Sequence, residues 1–383
     1  MRIRRTAHGC GLTMLLALSI GLAQGQEDDN RFDRREDGRR LFTRETFGGN
    51  GRTCLTCHSL ETGTVSPQDA RERLRKNYRD PLFEFDGSDD GRGNGFSRML
   101  KDATILIEIP LPPNVSLGDD PKARSVVLRR GIPSTHNTPA LDPVLMLDGR
   151  EPDLPTQAGN AIRRHAQVTH PLAESDLLDI AQFELTAQFF SSPALRKFAR
   201  GGPAPLLPEG RTASEKRGRL FFVDAPVAGD GKRGACAACH SGAMLNQTNR
   251  FLPLPLPPGT RFQTINVSEF NVAGNRVRPF IFRKPDGTQI TVMSPDPGRA
   301  LITGAIDGDP TANGAPFFTS LNSFKIPTLW GVKDTAPYFH DNSAKTLEDV
   351  AAHYARLFQT FPPPIILTHQ DEQDIVAYMK LLE

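Results

Sequence analysis

The chain is poor in the residues that most often identify a small exported or nucleic-acid-binding protein. Among 383 residues there are five cysteines and one tryptophan. Five cysteines in a chain of this length do not make a disulfide framework. Charge of one sign is also lacking, with 46 Lys and Arg against 44 Asp and Glu. A nucleic-acid-binding face needs a basic excess, so no nucleic-acid partner is expected. Beyond the first residues, no stretch approaches the roughly 20 apolar residues of a membrane helix, and no membrane span is expected.

What is present begins with an export signal. Arg2, Arg4 and Arg5 form a positive start and Leu12 to Ala23 a short apolar stretch. Ala23-Gln24-Gly25 then offers the small residues that a signal peptidase needs. The reading is a signal peptide over 1–25, cleaved near Gly25, and a soluble periplasmic protein beginning near Gln26. Cleavage removes three arginines and no acid, which takes the formal charge from +2 to −1. Cys10 leaves with the leader. The four remaining cysteines all lie in two motifs, Cys54-Leu55-Thr56-Cys57-His58 and Cys236-Ala237-Ala238-Cys239-His240.

In C-x-x-C-H the two thiols add to the vinyl groups of a haem, and the adjacent histidine turns back to ligate its iron. A thioredoxin-type redox pair does not need the histidine, and a four-cysteine zinc site needs the two motifs to converge. The surroundings repeat as well. Gly38-Arg39-Arg40-Leu41-Phe42 precedes the first motif, Gly218-Arg219-Leu220-Phe221 precedes the second, and Ser59 and Ser241 follow the histidines. The expected fold is therefore mainly α: two cytochrome c-like domains with long loops and little β, each binding one covalent haem.

The Gly201-Gly202-Pro203-Ala204-Pro205 stretch reads as a linker between an N-terminal domain over 26–205 and a C-terminal domain over 206–383. Ser175 to Phe190 has helical spacing, with Leu177, Ala181, Leu185 and Phe189 as its apolar stripe. Asp86 to Gly95 reads as loop. Phe251 to Pro316 is rich in Pro, Gly, Thr and β-branched residues, and reads as mostly irregular with a few short strands. Thr346 with Asp349 predicts a capped helix over Leu347 to Phe358. Thr368 with Asp371 predicts a closing helix whose Ile375, Met379 and Leu382 share a face.

Ile326-Pro327-Thr328-Leu329-Trp330-Gly331-Val332, followed by Thr335-Ala336-Pro337-Tyr338-Phe339-His340-Asp341, resembles the second-haem domain of the bacterial dihaem cytochrome c peroxidase and MauG family. Pro133-Ser134, Asn137 and Asp148-Gly149-Arg150 resemble the matching first-domain loops. The resemblance implies a peroxide-reacting N-terminal haem and a C-terminal haem that stores and passes electrons. Fourteen residues after His340, where peroxidases of the family place an axial methionine, stands Tyr354. In that respect the chain resembles the MauG branch and relatives such as MbnH. A phenolate is a hard anionic donor that lowers the potential and favours oxidised iron. His353 and Met244 are the competing ligands; His353 points about 100° away from Tyr354 on a helix.

At the first haem, the place where the family offers a glutamate holds Gln167, which can position peroxide but cannot take its proton. His165 and His170 are the candidate bases, and His136 is a candidate reversible ligand. The tryptophan that the family sets before Asp-Gly-Arg is replaced by Leu147, and the one that MauG has before its second motif by Gly234. The single tryptophan, Trp330, is either a haem-packing residue or, with Tyr338, the relay. Thr335 and Pro337 match positions whose carbonyls hold a calcium ion in the family. The expected activity is that of an exported dihaem enzyme of the MauG type. It would use hydrogen peroxide, share two oxidising equivalents between the haems, and oxidise an aromatic side chain such as tryptophan on a partner protein. The alternatives are a peroxidase fed by a small redox protein and a dihaem electron-transfer cytochrome.

Overall fold

A computed structural model describes residues 34–227, 229–252, 257–271, 274–306, 320–361 and 363–383. The leader, Cys10 and part of the Phe251–Pro316 stretch lie outside these residues. Helices carry most of the regular structure, and two of the helical units are built alike. Residues 34–44 are helical and cross the Glu174–Glu184 helix. The Ala213–Arg219 helix crosses the His369–Met379 helix in the same way. A glycine sits at each crossing. A Cβ on Gly38 would fall 2.0 Å from the Asp179 carbonyl oxygen and 2.8 Å from the Phe183 Cβ. On Gly218 it would fall 1.9 Å from the Asp374 carbonyl oxygen and 2.8 Å from the Tyr378 Cβ. Only glycine lets backbones approach this closely.

Aromatic rings fill the space behind each crossing. Phe42 packs on Phe183 and Phe189 at 5.5 and 5.6 Å, and Phe222 packs on Tyr378 at 5.2 Å. Each such pair adds roughly 0.5–1.5 kcal/mol beyond the burial of its area. The two late helices start where their capping boxes predict, at Leu347 behind Thr346 and at His369 behind Thr368. Ile375, Met379 and Leu382 are all buried.

The helix expected over Ser175–Phe190 is shorter. It ends at Glu184, Leu185 is 44% exposed, and a separate 3-10 turn, Ala187–Phe189, carries Phe189 into the aromatic cluster. The buried face is Ile180, Ala181, Phe183 and Glu184 rather than the straight stripe.

Strands are few and short, in keeping with a mainly α chain. Thr104–Pro110 and Ser125–Gly131 form an antiparallel ribbon, with alternating burial of β-branched and aliphatic side chains driving the pairing. Val115–Leu117 pairs with Arg278–Arg283, which pairs with Gln289–Ser294. Phe262–Gln263 pairs with Phe324–Lys325. The second of these sheets joins segments on opposite sides of residue 205. A core including Leu82, Met99, Leu117, Leu128, Phe280 and Phe282 follows it across the boundary. Phe190 and Leu195 likewise pack into the core of the C-terminal helices, so both of these cores draw on residues from either side of residue 205. Among the described residues, no helix is long and apolar enough to cross a membrane.

The crossings give a direct test. Gly218→Ala lowers the unfolding free energy by about 1–3 kcal/mol through overpacking. Gly229→Ala, where a Cβ meets nothing within 4 Å, leaves it unchanged. Denaturant titration of the two variants measures the difference.

Candidate functional site

Each C-x-x-C-H motif closes one tight turn. The His58 amide donates to the Cys54 carbonyl at 2.9 Å, and the His240 amide to the Cys236 carbonyl at 2.8 Å. The imidazoles are then held identically. His58 Nδ1 lies 2.8 Å from the Gly63 carbonyl oxygen, and His240 Nδ1 lies 2.9 Å from that of Leu245. In both cases the partner is five residues on. A carbonyl on Nδ1 fixes the tautomer that offers Nε2 to a metal. Burial pushes both imidazoles below the usual histidine range, so each is neutral and able to act as a ligand. Burial also pushes the Cys54, Cys236 and Cys239 thiols up to about 12, the reverse of a reactive redox pair. Among the described residues, no three His, Cys, Asp or Glu side chains are grouped so as to hold a metal ion.

The second motif opens onto a cavity of about 490 Å³, lined mainly by apolar side chains. Cys236, Cys239 and His240 lie on its wall with Tyr354 and Met379. The thiol pair, the oriented imidazole and this apolar space fit a covalently attached haem. Tyr354 is on the cavity wall, and burial, with Cys239 and Cys236 nearby, raises its phenol above the usual range. His353 points elsewhere: its Nε2 lies 2.7 Å from the Ile265 carbonyl oxygen, and its ring packs on Phe339 and Phe270. Met244 is buried in the surrounding core. The first-unit loop also reaches this cavity through Ile132, His136 and Leu147. His136 Nε2 lies 3.3 Å from the Leu60 carbonyl oxygen, just beyond the first motif.

Trp330 is buried on the same wall. Its Nε1 donates to the Ala243 carbonyl at 2.8 Å, and its own carbonyl accepts from Asn137 Nδ2 at 2.8 Å. It thus touches both units. Tyr338, Thr335 and Pro337 line the cavity too, and the Tyr338 hydroxyl donates to the Val332 carbonyl at 2.8 Å. Gly234 has φ 78°, and a Cβ there would lie 2.4 Å from the Ala225 carbonyl oxygen, so no tryptophan fits this backbone.

Around the first motif the structure separates the candidate bases. His165 Nδ1 is 2.6 Å from Asp86 Oδ2, and Asp86 also pairs with Arg52. Burial pushes the Asp86 carboxyl up, but His165 and Arg52 outweigh it and hold the group below the usual carboxylate range. Burial is the main cause that lowers the His58 imidazole, and His165 contributes to it as well. Asn50 Nδ2 donates to the His165 carbonyl at 3.0 Å and to Gln167 Oε1 at 3.3 Å. Gln167 itself is exposed and has φ 59°. His170 is a surface residue between the Phe47 and Pro171 carbonyls.

The sequence reading missed Arg52 and Asp86, and also Glu184. Glu184 is 5% exposed with Oε2 unpartnered, and burial pushes its carboxyl up to about 8. After burial, Glu184 is the next cause that raises the Cys54 thiol.

No family model matches the chain. A cytochrome-c peroxidase, IdrP1, from Denitromonas iodatirespirans is 35% identical over 68 residues, which is 16% of this chain and 18% of that protein. A MauG-like protein associated with microbial copper homeostasis superposes with TM-score 0.48 at 20% identity, over 91% of this chain and 88% of that one. The diheme peroxidase BthA from Burkholderia thailandensis E264 gives 0.46 at 15% identity, over 91% and 86%.

Glu184 generates a pH prediction. Its folded pKa is about 8 against 4.5 for the free group, so folding takes up a proton. The stability tied to it is fully present below 4.5 and is lost as pH rises towards 8. Glu184→Gln abolishes that component. Melting temperatures taken at intervals across this range fall more steeply for the wild-type protein than for the variant.

Proposed function

We propose that the chain is an exported dihaem oxidoreductase of the MauG and MbnH type. One haem would be held by Cys54, Cys57 and His58, and the other by Cys236, Cys239 and His240, with Tyr354 as a further ligand. The observation that carries the reading is the shared posture of His58 and His240, joined to the placement of Tyr354 rather than His353 or a methionine from the matching position on the second cavity wall. A bound haem supplies the peroxide and electron chemistry; the protein supplies ligands, proton handling and access.

His165, oriented by Asp86, would hold or deliver a proton at its Nε2 for the first site, and Asn50 ties Gln167 to the His165 carbonyl. Tyr354 and the apolar wall keep the second site dry. Trp330, bonded to Asn137 of one unit and Ala243 of the other, links the two sites. The substrates of this reading are hydrogen peroxide and an aromatic side chain on a partner protein. A calcium ion at Thr335 and Pro337 would be held by main-chain oxygens and water. The short match to a cytochrome-c peroxidase favours a second reading, reduction of peroxide with electrons from a small redox protein.

One equivalent of peroxide added to the fully oxidised holoprotein separates these readings. A persistent state two electrons more oxidised, with near-infrared absorbance, is the expected result. Reaction only after half-reduction supports the peroxidase reading, and no reaction leaves an electron-transfer cytochrome. Tyr354→Met raises the potential of the second haem and shortens the life of the oxidised state, as read by spectroelectrochemistry and stopped flow. Trp330→Phe slows the joint oxidation of the two haems; joint oxidation at the wild-type rate would remove Trp330 from the route.

A further inference from the structure

The two helix crossings repeat so closely that positions in one match positions in the other. Gly38 meets Asp179 and Phe183 where Gly218 meets Asp374 and Tyr378. The helices that carry these residues, Glu174–Glu184 and His369–Met379, are each 11 residues long. In that register Ile180 matches Ile375, Ala181 matches Val376 and Glu184 matches Met379. All six are buried. Five are apolar, and the sixth is Glu184.

The second unit shows what this helix face looks onto. Ile375 and Met379 line the cavity together with Cys236, Cys239 and His240. Cys236 packs against the core that contains both of them. Cys54 packs in the same way against the core that contains Ile180 and Phe183. The repeat therefore turns Glu184 towards the first motif as Met379 is turned towards the second. One site presents a thioether at this place, and the other a carboxyl.

Packing alone gives no reason for the exchange. Glu184 is 5% exposed, and its Oε2 is buried without a hydrogen-bond partner. A buried polar atom left unpaired costs about 1–3 kcal/mol, and an unpaired buried charge costs more. Burial keeps the carboxyl protonated at neutral pH, and no charged group on the surrounding elements acts on it. Arg34 and Asp37 act instead on Asp179, and His165 is held by Asp86. The titratable group that feels Glu184 is the Cys54 thiol, which haem attachment would take out of titration. Leu185, the next residue, is 44% exposed, so solvent that can exchange a proton is close along the chain.

We propose that Glu184 is a redox-linked proton carrier of the first haem site. Its Oε2 takes one proton from solvent when a one-electron donor reduces the site, and returns that proton to solvent when the site is oxidised. The proposal rests on the reading of Cys54, Cys57 and His58 as a haem site. In an apolar surrounding, a carboxylate formed on oxidation offsets the positive charge gained there, and charges interact strongly where water is excluded. Met379 has no proton to give, so the coupling belongs to the first site alone.

The test is a redox titration of the holoprotein at a series of pH values, for wild type, Glu184→Gln and Glu184→Met. In the wild type one of the two haem potentials falls as pH rises through the region of 8, because the reduced form binds the extra proton. Its reduced-minus-oxidised infrared spectrum shows a protonated-carboxyl C=O band. Both variants level the sloping potential and lack the band. Two level potentials in the wild type overturn the proposal. So does a slope that survives in Glu184→Gln, which is what a merely structural acid gives while the melting temperature alone moves. The wild-type slope and band decide the matter if neither variant folds. Wild-type protein lacking haem stain at its polypeptide band on a denaturing gel would instead remove the haem reading beneath the proposal, and the proposal with it.

Discussion

The arrangement of both sites depends on Arg130. Its side chain is 1% exposed and is gripped from both units, by Asp148 of the first and bidentately by Asp296 of the second at 2.7 and 2.8 Å. Burial alone would lower its pKa, but the two carboxylates raise it, so the guanidinium is permanently charged. Arg150 adds a second cation to Asp148 at 2.9 Å, and the four groups balance to zero. Such a network contributes little net stability against an apolar replacement, yet removing one member strands a buried charge at a cost of about 3–5 kcal/mol. Its effect is geometric. Gly131 and Ile132 follow Arg130 directly onto the cavity wall, and Leu147 precedes Asp148 onto the same wall. Fixing Arg130 thus fixes the seam between the two sites.

That balance is not repeated in the neighbouring cluster. Arg130 with Arg150 faces two carboxylates, whereas Lys325 with Arg261 faces only Asp142. Both clusters are buried at the same seam and joined by one strand, since Phe324 lies against Arg130 and Lys325 follows it.

What could be read from sequence was what is local. The C-x-x-C-H turns, the two capping boxes and the helix starts are decided within a few residues, and they stand where they were expected. The duplication was visible in Gly38 and Gly218, although their reason, a backbone passing about 2 Å from where a Cβ would be, appears only in three dimensions. The Asp86 partner of His165 is 79 residues away, and the Asp142 partner of Arg261 is 119 away. No periodicity encodes such pairs. Asp86 was read as part of a loop, which is true of its neighbours and silent about its side chain. Glu184 was lost for another reason: an apolar stripe drawn at ideal spacing does not anticipate a helix that stops at Glu184 and turns Phe189 in separately.

The two motifs, alike in every local respect, are unlike in what surrounds them. Beside His58 stand a carboxylate–imidazole pair and an exposed amide, Gln167. Around the cavity at His240 stand a mainly apolar wall, a phenol and a buried lysine. His165 is partly exposed and Gln167 exposed, so these surroundings are open to water. The second has no comparable exchangeable base on its wall, because His340 is stacked against Phe324 and His136 faces Leu60. A dry site with fixed charges changes its oxidation state at low reorganisation cost, whereas proton-coupled chemistry needs the wetter one. On the proposed reading, a division of labour between the two copies would follow from their packing and would need no difference in the motif itself.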